Sequence, residues 1–305
     1  MPTTTKINLT VVGSLALDTV ATPSAKHTDV LGGSVSYACA AAALFTKPGM
    51  VGVAGSDFPE HHRQTLQKRG IDLTGLQQVA GKTFRWSGEY EADMNSRRTL
   101  ATHLNVFENF NPRLPTAYRH CRVLFLANIH PELQLHVLSQ VKRPALVAAD
   151  TMDLWINTAR PNLIRLLAKV DMLLINDDEA RALTGTLGLA EAARKISAMG
   201  PRYVLIKKGE HGCLLFDGNS FTLLPAYPLA RITDTTGAGD SFAGGMLGYL
   251  SARPRINADA VRDAMLHGTI TASFAVESFS IDRMAGLTGH EFNRRLSDFK
   301  KMLAF

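Results

Sequence analysis

The segment "DTTGAGDSFAGGMLGYL", Asp234–Leu250, sets two carboxylates and two glycines directly before a proline-free apolar run. Gly237 and Gly239 permit backbone angles that other residues resist. The run Ser241–Leu250 reads as a helix, so the glycine turn feeds a helix N-terminus. Such a terminus offers N–H groups without intrahelical partners and the positive end of the helix dipole, a place for an anion. Asp240 stands at the same point and is itself an anion. A carboxylate beside an anion hole points to chemistry rather than simple binding: it takes a proton from a hydroxyl while the hole holds a phosphate.

The rest of the chain must position that turn. Ile7–Val12 reads as a buried strand ending in Gly13, and Ser34–Phe45 as an alanine-rich helix after Gly32 and Gly33. Met50–Ala54 is a short strand and Pro59–Arg69 a helix closed by Gly70. Thr83–Glu91 and Arg97–Leu104 alternate around "ADMNS" and read as a hairpin. Beyond Leu114 the pattern is regular. Strands at Val123–Ala127, Ala145–Ala149, Met172–Ile175 and Tyr203–Ile206 alternate with helices at Pro131–Gln140, Pro161–Ala168, Asp178–Leu183 and Ala190–Met199. Continuous apolar strands in β-then-α order predict a parallel sheet covered on both faces. A hairpin over Gly212–Leu224 and helices at Ser241–Leu250, Ala258–Val276 and His290–Met302 complete the chain. Several apolar strands end in a polar group: Asn128, Asp150, Asn176 and Lys207. Ligands of open α/β sheets bind outside the carboxyl ends of strands, so these groups collect where a site belongs.

The chain has 305 residues, 46% hydrophobic and 20% charged, an ordinary balance for a globular protein. The net charge of +6 comes from scattered Lys and Arg with no basic run, which argues against nucleic acid as partner and suits anionic substrates. Cys39, Cys121 and Cys213 are far apart in apolar contexts, with no CxxC pair for zinc. Reduced thiols and the absence of a signal-like N-terminus predict a cytoplasmic location. No apolar stretch is long enough to span a bilayer, so no membrane association is expected.

"DTTGAGDSF", Asp234–Phe242, closely resembles the second signature of the PfkB, or ribokinase-like, family of carbohydrate and nucleoside kinases. "GSLALD" (Gly13–Asp18), "LGGSVSYACAAA", "VGVAGSDFP" (Val51–Pro59), "NDDEA" (Asn176–Ala180) and "IKKGEHG" (Ile206–Gly212) resemble further segments of that family in order and approximate spacing. The resemblance implies one domain over residues 1–305: a three-layer α/β/α sandwich with a mostly parallel central sheet and a small β-sheet lid. The lid strands would come from Thr19–Val30 and Thr83–Leu104. It implies phosphoryl transfer from ATP, with Asp240 as general base and the backbone of Thr236, Gly237, Ala238 and Gly239 as anion hole. Asn176 and Glu179 would hold Mg2+ through water, unless "NDDEA" is only a helix start with acids in its first turn. Asp18 would bind two sugar hydroxyls beneath Gly32 and Gly33, and Lys207, Gly209 and Gly212 would lie near the nucleotide. By family position alone, His267–Val276 and Ser278 would line an adenine pocket. Asp234 would order the loop or help bind an ion, or is only a helix-entry turn residue, and K+ is admitted as a further cofactor.

Many sugar kinases of this family carry an Asn shortly after the Gly-Gly turn, where this chain has Ser36 and Tyr37. Tyr37 could pack on a nucleobase ring. Trp86 could stack on a base or sugar or fill the lid core, and Arg85 could meet an anionic substrate or a surface acid. The expected acceptor is therefore the primary hydroxyl of a sugar or of a nucleoside's ribose. A catalytically silent sugar- or nucleotide-binding protein on the same fold is the alternative. The intact Gly-Ala-Gly turn and Asp240 argue against it. A dinucleotide-dependent oxidoreductase would need G-x-G-x-x-G after the first strand, where "GSLALD" stands instead. Open lid edges would permit a homodimer by strand pairing across a two-fold axis.

Overall fold

The computed structural model describes residues 6–23, 25–91 and 97–304. The chain opens with β1 (Leu9–Val12), β2 (Ala16–Thr22), β3 (Ala25–Gly32) and α1 (Ser34–Ala42), then β4 (Pro48–Gly55), α2 (Glu60–Lys68) and β5 (Asp72–Val79). It continues through β6 (Phe84–Tyr90), β7 (Arg97–His103), β8 (Val123–Leu126), α3 (Pro131–Leu138), β9 (Leu146–Asp150), α4 (Asp153–Thr158) and α5 (Arg160–Leu167). Next come β10 (Met172–Asn176), α6 (Asp177–Thr184), α7 (Leu189–Ala198), β11 (Tyr203–Lys207), β12 (Cys213–Phe216) and β13 (Phe221–Leu224). Four helices follow: α8 (Ala238–Ala252), α9 (Ala258–Ala275), α10 (Asp282–Gly286) and α11 (Gly289–Leu303).

Nine strands form one sheet in the order β13-β12-β11-β10-β9-β8-β1-β4-β5, parallel from β11 to β5, with the β12–β13 hairpin antiparallel at one edge. The strands are apolar on both faces because both faces are covered. Val11, Phe125, Ala148 and Leu174 pack under α1, α8 and α9, while Val12, Leu126, Ala149 and Ile175 pack under α5, α6 and α7. This is the expected three-layer sandwich. The chain winds one way from β1 to β4 and the other way through β8, so the strand order switches beside β1. A crevice opens at such a switch, and Gly13 and Asn128 end the two strands that border it.

A second sheet, β3-β2-β6-β7, forms the lid. Its first hairpin is longer than expected from Thr19–Val30 and takes Asp18 into β2. The second hairpin is antiparallel as expected, and its turn "ADMNS" falls outside the described residues. Three elements escape the sequence reading: β5, α4 and α10. Helix α8 starts at Ala238, not Ser241, which carries Gly239 and Asp240 into its first turn. No helix among the described residues is long and apolar enough to cross a membrane.

Candidate active site

One side of the candidate site begins on the lid. Asp18 sits opposite Val30 of β3 and Trp86 of β6, and its side chain is buried. A Cβ at Gly32 would fall inside the envelope of both Asp18 carboxylate oxygens, so only glycine lets β3 close over that acid. Gly33 adopts φ 86° and caps α1, turning the chain from lid to body. Ser14 and Ser34 lock this turn at the switch point: Ser14 N donates to Ser34 Oγ at 3.1 Å and Ser34 N to Ser14 Oγ at 3.2 Å.

The glycine turn approaches from the other side. Thr233 and Asp234 donate their N–H groups to the Val276 carbonyl at the end of α9. Asp234 Oδ1 accepts the Thr236 N–H at 2.8 Å, which draws that donor inward. Ala238 N donates to the Thr235 carbonyl. The expected hole over Thr236–Gly239 therefore narrows to the N–H groups of Gly237 and Gly239, which have no backbone acceptor among the described residues. Gly237 adopts φ 72° and caps α8, and a Cβ there would strike the ring of Tyr37. Burial raises the Asp234 carboxyl above its ordinary value, opposed by its bonds from Thr236. Its Oδ2 is buried without a partner among the described residues.

Strand ends supply the third side. Lys207 Nζ pairs with Asp150 Oδ2 at 2.9 Å, and a Cβ on Gly239 would lie 3.1 Å from that Nζ. Burial opposes the ammonium charge, but Asp150, Glu179 and Asp240 outweigh it and raise the Lys207 pKa. Asn176 and Glu179 form a capping box at α6: Glu179 N donates to Asn176 Oδ1 at 2.7 Å and Asn176 N to Glu179 Oε2 at 2.9 Å. The helix-start reading of "NDDEA" thus holds, and it commits the Asn176 oxygen and one Glu179 oxygen. Burial first, then the Asp150 charge, lifts Glu179 to about 7. Two neighbouring acids with hard oxygens, one of them held partly neutral by its surroundings, suit a hydrated divalent cation. Among the described residues no group of three or more His, Cys, Asp or Glu is arranged to hold a metal ion. Gly209 (φ 53°) and Gly212 (φ 79°) shape the turn after β11, and a Cβ at Gly212 would collide with the Leu224 carbonyl of β13.

Several expected contacts resolve differently. Tyr37 is buried beneath Gly237 and has no face for a nucleobase; it supports the turn. Arg85 is committed to Asp29 of β3 and, at 3.2 Å, to Asp57 after β4, so it joins lid to body instead of meeting an anionic substrate. Trp86 packs on the lid core of Val20, Tyr90 and Phe279, with Nε1 donating to Thr99 Oγ1 at 3.2 Å. His267 stacks on Tyr249 at 3.6 Å with Phe45 and Phe292 nearby, a packed aromatic cluster rather than a pocket wall. Asp150, Asp57 and Tyr90 were absent from the expected site. Asp150 gave a signal as the polar end of an apolar strand, and Asp57 as the acid of the family-like segment "VGVAGSDFP".

The model of the pfkB family carbohydrate kinases matches residues 6–284. The chain belongs to that family. A cytidine kinase of Thermococcus kodakarensis is 32% identical over 255 residues, covering 81% of this chain and 90% of that protein. An aminoimidazole riboside kinase of Salmonella typhimurium is 25% identical over 95% of this chain and 93% of that one. Among solved structures, a nucleoside kinase of Methanocaldococcus jannaschii superposes with a TM-score of 0.75 at 18% identity, covering 96% of this chain and 99% of that one. A ribokinase of Arabidopsis thaliana, complexed with ribose and ATP, gives a TM-score of 0.75 at 21% identity over 95% and 98%. These two show the ribokinase-like fold. With the family membership, the chain is an ATP-dependent sugar or nucleoside kinase.

Proposed function

We propose that this pfkB kinase transfers the γ-phosphoryl group of ATP to the hydroxymethyl oxygen of a nucleoside's ribose, within a single domain. One observation carries the catalytic assignment: Asp240 directly follows a turn whose Gly237 lies against the Tyr37 ring and whose Gly239 lies against Lys207 Nζ at the strand ends. A base that serves a hydroxyl and faces a phosphate must stand between them. Asp240 accepts the hydroxyl proton as the oxygen attacks the γ-phosphorus. The bond to the bridging oxygen breaks, and ADP departs. The Gly237 and Gly239 N–H groups stabilise charge on the moving phosphoryl oxygens. Lys207, held by Asp150, neutralises the phosphates from below Gly239. Asp18 accepts hydrogen bonds from two ribose hydroxyls.

Mg2+ arriving with the nucleotide would sit near Glu179 and Asp150 and spread the phosphate charge. The buried Asp234 Oδ2 suits a monovalent cation such as K+. The cytidine kinase relative, similar over most of both chains, favours a nucleoside over a free sugar. The test is acceptor-dependent ADP release with Mg-ATP across cytidine, other nucleosides, ribose and fructose. Turnover with cytidine or another nucleoside is expected; turnover with free sugars alone would replace the acceptor assignment. Asp240→Asn should lower turnover by roughly 10²–10⁴-fold, the usual worth of a general base, with ATP affinity little changed. Robust turnover by that variant would remove Asp240 from the role.

A further inference from the structure

The lid and the glycine turn touch through one side-chain bond that the reaction scheme above does not use. Thr236 Oγ1 donates to the Tyr90 hydroxyl at 3.0 Å, although 146 residues separate them. Tyr90 ends β6 and is buried, its ring held in the lid's own core by Val20, Phe279 and Trp86. Thr236 immediately precedes Gly237, and its N–H is fixed by Asp234. The hydroxyl and the amide of Thr236 are thus held from two directions, one bond reaching the lid and the other staying within the turn.

A second route closes a circuit between the same parts. Phe279 reaches the lid core from the segment after α9, and Ser280 Oγ donates to the Leu31 carbonyl of β3 at 2.5 Å. Three residues before Phe279, the Val276 carbonyl accepts the N–H groups of Thr233 and Asp234. Lid, post-α9 segment and glycine turn are therefore one loop of contacts, and the Tyr90–Thr236 bond is the link made by two side-chain hydroxyls alone.

We infer that Tyr90 is a positioning residue that couples acceptor binding under the lid to the geometry of the phosphoryl-transfer turn. An acceptor that fixes β2 and β6 around Asp18 fixes Tyr90, and Tyr90 fixes Thr236 and the N–H groups that follow it. The consequence is synergy: acceptor tightens ATP binding, and ATP tightens acceptor binding by the same factor.

Tyr90→Phe keeps the ring in its apolar core and removes only the hydroxyl. Hydrogen exchange over residues 234–240 tests the tie without any substrate, so it stands apart from the acceptor assignment on which the synergy rests. Exchange in that segment should quicken about fivefold, the worth of one neutral hydrogen bond. Thr236→Val should do the same, and the double variant should be no faster than either single one. With AMP-PNP and cytidine as probes, the wild type should bind each more tightly in the presence of the other. Tyr90→Phe should lose that gain while keeping its affinity for AMP-PNP alone, and kcat should fall more than the KM for ATP measured at low cytidine rises. A wild type showing no mutual tightening with cytidine or with ribose overturns the synergy, whatever the exchange result. Unchanged exchange in Tyr90→Phe, or fully additive effects in the double variant, overturns the coupling.

Discussion

At the residue scale Asp18, the acid proposed to bind the acceptor, and Gly32 act as one unit. Asp18 is a carboxylate placed inside a sheet, opposite Val30 of β3 and diagonal to Gly32. Because Gly32 has no side chain, the carboxylate can lie against the β3 backbone there. Gly32→Ala should therefore displace Asp18 and weaken acceptor binding by the worth of a charged hydrogen bond, about 10- to 100-fold in KM, with the KM for ATP little changed. Steady-state kinetics varying each substrate in turn checks this, and an equal rise in both constants would place Asp18 in a general structural role. Asp240 and its glycines stood out because a glycine turn feeding a helix is a local pattern, and Asp18 because its segment resembles the family's first strand. Arg85 and Tyr37 were not, because what occupies them is remote in sequence. Asp29 and Asp57 lie 56 and 28 residues from Arg85, and Gly237 lies at the far end of the chain from Tyr37. Residue type announced that each would find a partner, but only the fold chose a protein group over a substrate.

At the scale of elements, α8 and the lid carry the argument. The apolar parallel strands were readable from composition alone, since burial on both faces leaves little room for polar residues. The β5 segment "DLTGLQQV" was missed because it is an edge strand whose exposed positions break the alternation. The start of α8 was misplaced because glycines and Asp240 look like a turn, whereas the helix needs only Gly237 in the left-handed region to begin. Gly237→Ala should cost about 1–2 kcal/mol for the backbone angle alone, and the Tyr37 ring adds a collision. Urea unfolding should show the loss, and phosphoryl transfer should fall further than stability accounts for, since the turn's N–H groups move. Undiminished turnover at saturating substrate would detach the turn from the chemistry. The lid is joined to the body by Arg85, whose partners Asp29 and Asp57 are partly exposed. Exposed pairs contribute about 0–1 kcal/mol, so Arg85→Ala should leave the melting temperature nearly unchanged. Its effect should fall on acceptor KM, through the seating of β3 over Asp18. A melting temperature that drops by many degrees would show the pair to be a structural keystone instead.

For the whole molecule, the site's electrostatics should appear in the pH dependence of stability. Asp72 and Asp217 are partly desolvated, yet hydrogen bonds from Thr74 and Tyr118 to the first, and from the Ser220 and Asn219 N–H groups and Arg262 to the second, hold each at about 2. A carboxyl lowered on folding adds stability that is present above its unfolded value and lost as pH falls through the folded one. These two stabilise the protein as pH rises from about 2 to about 4. Glu179 has the opposite sign. Burial and the Asp150 charge raise it from 4.5 to about 7, so the folded state holds a proton that the unfolded state has released. Its contribution is complete below about 4.5 and declines as pH rises toward 7, by on the order of 3 kcal/mol. Glu179→Gln preserves the capping box, because a glutamine amide can serve at that position, and removes the titration. Urea unfolding at pH 5 and pH 7.5 should show the wild type losing more stability than the variant over that interval. A divalent cation bound beside Glu179 favours the ionised form, so Mg-ATP should recover part of the wild-type loss and less in the variant. Parallel pH profiles for the two proteins would mean that Glu179 is ionised throughout and that Lys207 already satisfies it. The strand ends would then be a closed salt-bridge cluster and not a place kept ready for a cation.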